Sequence, residues 1–136
     1  MSLEYPDHRQ DPGAWAASLG VSEEACQLLL DSDFIDLHLD LEVPVRLFGY
    51  RPDQRHAPTS WPWPFFGHTD YPRLLEAGFT GICYDIATNP LRPPANRQAT
   101  TLANIEAVKG RVAEHAAHFA LARTRAEYDA IRATGK

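Results

Sequence analysis

Nine consecutive residues, Phe34-Ile35-Asp36-Leu37-His38-Leu39-Asp40-Leu41-Glu42, alternate almost without error between apolar and polar side chains. A period of two suits an extended strand, whose successive side chains point to opposite faces. The pattern predicts an apolar face of Ile35, Leu37, Leu39 and Leu41 and a polar face of Asp36, His38, Asp40 and Glu42. Three carboxylates beside an imidazole are costly to gather unless water or a cation compensates them. His38 and Asp40 are two residues apart, roughly 6.6 Å between Cα atoms at about 3.3 Å per residue. Both side chains can lean over one divalent metal. Spacing alone leaves open a plain His–carboxylate pair at a strand end.

At 136 residues the chain has the length of one domain with room for a core. Its net charge of −5, with no cluster of Lys and Arg, argues against a surface that binds a phosphate backbone. Cys26 and Cys83 stand far apart in apolar contexts, which reads as two buried free thiols of a reducing compartment. No apolar leader opens the chain, and no apolar run approaches the roughly 20 residues of a membrane span. The expectation is a cytoplasmic protein with neither nucleic-acid nor membrane partners.

Residues 1–33 read as a polar arm followed by two short helices. The first of these is ended by Gly20, and the second is capped by Ser22. After the alternating strand, residues 43–67 read as a long loop, with six prolines and glycines before Gly67 and with Trp61, Trp63, Phe65 and Phe66 as possible pocket walls. Asp70 or Thr69 can cap a helix that carries Pro72 in its first turn and stops at Gly78. Residues 79–87 are almost wholly apolar and predict a second strand buried on both faces. Residues 89–97 read as another loop. A long amphipathic helix is expected from Thr100 to about Ala116, a short strand at 119–122 and a last helix over 125–134. Strand, helix, strand with a crossover implies parallel pairing and an α/β fold.

Two or three parallel strands make a poor free-standing sheet, because such sheets need helices on both faces and neighbours at both edges. A barrel resolves the polar face of the first strand, packing its aliphatic face on outer helices and gathering ligands at the mouth. Such barrels need roughly 250 residues. Residues 34–136 are therefore expected to be the first βα units of an incomplete metallo-hydrolase barrel, the N-terminal portion of a (β/α)8 TIM-type fold preceded by short helices.

Several segments in order carry a resemblance: Ile35-Asp36-Leu37-His38-Leu39-Asp40, His68-Thr69-Asp70-Tyr71-Pro72-Arg73-Leu74, Ala77-Gly78-Phe79-Thr80-Gly81 and Thr88-Asn89-Pro90. Together they resemble the membrane dipeptidase (renal dipeptidase) family of zinc peptidases, and most closely its soluble bacterial branch. That branch opens with a helix similar to Ala14-Trp15-Ala16-Ala17-Ser18-Leu19-Gly20. The resemblance spans residues 12–136. It implies a barrel with a binuclear zinc site at its mouth that hydrolyses dipeptides by a metal-activated water, with His38 and Asp40 as ligands to one zinc. The family's bridging glutamate and its later histidines and aspartate would lie beyond Lys136, so no catalytic residue is assigned here. It further implies that this chain is inactive alone and needs a complementary C-terminal half or a homo-oligomer. A non-catalytic α/β binding or association module on the same scaffold, or a related barrel amidohydrolase, are the alternatives.

Among the other histidines, His68 is expected near a helix N-cap, His115 and His118 at the surface or in packing, and His8 and His56 in loops without partners. Asp85 is the one charge of the second strand, suited either to orienting a ligand or to a surface turn. Asp36 and Glu42 share the polar face without being assigned as ligands.

Overall fold

The computed structural model describes residues 3–57, 67–86, 89 and 91–136. A 3₁₀ turn at His8–Gln10 leads into helices α1 (Pro12–Leu19) and α2 (Glu23–Asp31). Strand β1 (Ile35–Leu39), α3 (Glu42–Phe48), α4 (Tyr71–Glu76), β2 (Gly81–Tyr84), α5 (Pro94–Glu114) and α6 (Arg125–Arg132) follow. The protein is mixed α/β. No helix among the described residues is long and apolar enough to cross a membrane.

Local chemistry accounts for most helix ends. The side chains of Asp11, Ser22, Asp70 and Thr124 each accept from the third backbone N–H beyond them, satisfying donors that have no partner inside the helix. Gly49 ends α3 in the left-handed region at φ 68°, and the Tyr50 N–H returns to the Pro44 carbonyl at 3.2 Å. Gly78 follows α4 in the same way, at φ 79°.

β1 and β2 pair in parallel, as the strand–helix–strand order predicts, and among the described residues no third strand joins them. Ile35 pairs with Gly81, Asp36 with Ile82 and Leu39 with Tyr84. Three residue steps on β1 thus match two on β2, which places a bulge between Asp36 and Leu39. The core gathers at the C-terminal end of this pair. Leu39, Leu41, Tyr50, Tyr71, Leu74 and Leu3 are buried there, with Ile82, Tyr84, Phe79 and Phe119 packed around them.

The alternating stretch is a strand only as far as Leu39, because Leu41 turns into αR geometry and Glu42 opens α3. The predicted aliphatic face therefore divides: Leu39 and Leu41 are buried, whereas Ile35 and Leu37 are 39% and 76% exposed. The bulge is the reason, since it moves Leu39 to the face of Ile82 and Tyr84 and leaves Ile35 and Leu37 on the other side. Residues 42–48 are helix rather than loop. Pro44 sits within the first turn, where its missing N–H costs no intrahelical bond. The aromatic residues 61–66 lie outside the described residues.

The second strand is shorter than expected, and Cys83 on it is exposed, while Cys26 is buried and both thiols are free. α5 starts at Pro94, six residues before the predicted Thr100. Proline suits a first helical position, and residues 95–99 are all exposed, so no apolar period announced them. Residues 119–122 form no strand. Phe119 instead packs its ring against Tyr71, with centroids 5.0 Å apart.

Candidate metal centre

His38 lies near the C-terminal end of β1, and Asp40 just beyond it. Asp36 fixes the local backbone by accepting from the His38 N–H through Oδ1 at 2.9 Å. His38 then directs Nε2 to 3.2 Å from Asp40 Oδ2 and 3.9 Å from Asp85 Oδ2. Asp85 is held in place by its own backbone, whose N–H donates to the Leu39 carbonyl at 3.0 Å. One ligand atom from each of His38, Asp40 and Asp85 lies within 4.8 Å of the others. All three side chains are open to solvent, His38 the most. The cluster stands at the C-terminal ends of two parallel strands, the end at which open and closed α/β sheets bind ligands.

The donor set can be tested against a divalent ion. Zinc binds imidazole nitrogen and carboxylate oxygen at about 2.0–2.2 Å in tetrahedral geometry, which sets neighbouring donors roughly 3.3–3.6 Å apart. The His38–Asp40 separation of 3.2 Å and the His38–Asp85 separation of 3.9 Å bracket that edge. One imidazole with two carboxylates is a mixed set that suits first-row divalent metals. The residues present fit such an ion.

The sequence grouped Asp36, His38, Asp40 and Glu42 on one face, and the structure separates them. His38 and Asp40 converge. Asp36 serves the backbone. Glu42 is turned inward, 1% exposed, and pairs with Arg111 of α5. Leu41 turns helical between Asp40 and Glu42, which sends the two carboxylates to opposite sides. Around the Glu42–Arg111 pair lie Tyr71, Tyr84 and His115, whose ring meets Tyr71 edge-on at 5.6 Å. Burial pushes the Tyr84 phenol far above its ordinary range, with the neighbouring Tyr71 adding to the shift. This buried cluster was not legible in the sequence. Its signal, in retrospect, is the spacing of Asn104, Val108, Arg111 and His115 along one stripe of α5.

His115 is buried in packing and His118 is half-buried, with its imidazole pKa lowered by desolvation and then by His115. His68 is exposed two residues before Asp70, the side chain that caps α4. His8 and His56, expected without partners, both have them. His8 stacks on Trp15 at 4.6 Å and approaches Glu76 at 3.6 Å. His56 stacks on Tyr50 at 4.2 Å, with Nε2 2.8 Å from the Arg51 carbonyl oxygen. Trp15 of α1 and Tyr50, just after α3, recruit these rings, and isolated histidines in a sequence give no sign of it. Asp85, open to either of two roles in the sequence, is brought beside the His38–Asp40 pair, with Oδ2 3.9 Å from His38 Nε2.

Comparison of the chain with family models, with curated proteins and with solved structures gave no match.

Proposed function

We propose that this chain is the N-terminal part of a zinc-dependent dipeptidase built as a (β/α)8 barrel. The observation that carries the reading is the convergence of His38 and Asp40 at the C-terminal end of β1, in the order and spacing of the family it resembles. His38 and Asp40 would hold a zinc ion there, whose chemistry would be to polarise the scissile carbonyl and to make a bound water acidic enough to yield hydroxide near neutral pH. His38 and Asp40 contribute one neutral and one anionic donor. Their exposure leaves the dipeptide a direct approach. The bridging glutamate and the second metal's ligands have to come from further strands, in cis or from a partner chain.

A second reading has its own observation. A groove of about 490 Å³ runs along Ile35, Leu37, Phe79, Leu121 and Tyr128, and it favours an association module on the same scaffold. A related barrel amidohydrolase would share the metal pair and differ only in the amide it cleaves.

Zinc content and hydrolysis of a panel of unblocked dipeptides distinguish these readings. They are measured on the chain alone and on the longest polypeptide or complex that carries it. The dipeptidase reading expects no detectable turnover by the chain alone. It expects turnover by the assembled species, lost in His38→Ala. An assembled species that holds zinc and cleaves no dipeptide contradicts it, as does activity that survives His38→Ala.

A further inference from the structure

The sequence supplies two ligands to the proposed metal, whereas catalytic zinc sites keep about three from the protein. The bulge in β1 addresses this deficit. With regular pairing onward from Asp36↔Ile82, Leu39 would stand opposite Asp85 and Asp40 opposite Ile86. The extra residue on β1 shifts the register, so that Leu39 pairs with Tyr84. Leu39 and Tyr84 both turn to the core, so Asp40 and Asp85, the next residue on each chain, leave the sheet together on its other side. The hydrogen bond from the Asp85 N–H to the Leu39 carbonyl locks this arrangement into the backbone. Bulges recur next to active sites because they re-aim side chains in this way.

We infer that Asp85 is a third protein ligand, so that His38, Asp40 and Asp85 hold one divalent cation between the ends of β1 and β2. The inference rests on the metal-site reading above and adds a ligand to it. Its consequence is that this chain carries a complete three-donor set of one imidazole and two carboxylates, with the remaining positions on the metal open to water or substrate. The chain can then take up a metal before any further strand joins it.

The test titrates the whole chain with zinc chloride by calorimetry and follows cobalt(II) binding by its visible absorption. Asp85→Asn keeps the shape of the side chain and removes its charge. It is expected to weaken zinc binding by at least about tenfold and to alter the cobalt band, with the circular dichroism spectrum unchanged. Asp85→Glu retains a carboxylate and should recover part of the affinity. Glu106→Gln, which removes one charge from an exposed face of α5, should leave binding as it was. If Asp85→Asn disturbs the fold, carbon-13 resonances of aspartate carboxyls in the unaltered chain give the same information, because Asp85 must shift and saturate together with Asp40.

Zinc binding by Asp85→Asn within twofold of the unaltered chain overturns the inference. If His38→Ala nevertheless abolishes binding, the two-ligand dipeptidase reading stands. Absence of zinc binding by the unaltered chain also overturns the third ligand, and turnover by the assembled species then decides the dipeptidase reading separately.

Discussion

Single residues set the limits of what this backbone tolerates. Gly49 holds φ 68° at the end of α3, where a side chain meets nothing within 4 Å, so the cost of a Cβ there is purely conformational. Left-handed geometry costs an ordinary residue roughly 1–2 kcal/mol. Gly110 lies inside α5 at ordinary dihedrals, again with open space around it. Alanine there gains about 0.5–1 kcal/mol, because glycine loses more freedom on folding. Urea unfolding should therefore give opposite signs: Gly49→Ala lowers the midpoint and Gly110→Ala raises it. Equal signs would mean that the α3 terminus is not in the left-handed region.

Between elements, a buried ion pair joins the first residue of α3 to α5. Glu42 is fully buried and Arg111 largely so, while Glu42 Oε1 and Arg111 Nε have no hydrogen-bond partner among the described residues. Removing one member of a buried pair strands the other charge, at a cost of about 3–5 kcal/mol, whereas replacing both by apolar groups is often neutral. Glu42→Met alone should thus cost about 3 kcal/mol, and Glu42→Met with Arg111→Met should recover most of it. Calorimetric melting of the single and double variants checks this, and additive losses would contradict it. The pair has a bearing on the site as well, since Glu42 anchors the chain two residues after Asp40. Sequence patterning read these elements unevenly. Caps and glycine stops marked α1, α2 and α4 because their chemistry is local. α3 was hidden by Pro44 and Gly49, which also mark loops, and the start of α5 by a solvated first turn without apolar residues. The bulge left no trace, because a register shift depends on the partner strand.

For the whole molecule, the parallel β1–β2 pair and the meeting of His38 with Asp40 were both legible in the alternating stretch and the strand–helix–strand order. The closed barrel and its chemistry rest on the resemblance, and they need strands beyond the two described. What patterning could not convey is that polar residues at one spacing split three ways: two to the cluster with Asp85, one to the backbone and one to the core. The proposed zinc site depends on the first of those destinations. Diffraction at the zinc absorption edge from crystals of the zinc-loaded chain tests it most directly. One anomalous peak is expected about 2.0–2.2 Å from His38 Nε2 and from an Asp40 carboxylate oxygen. A peak elsewhere, with these two side chains turned away from it, would contradict it.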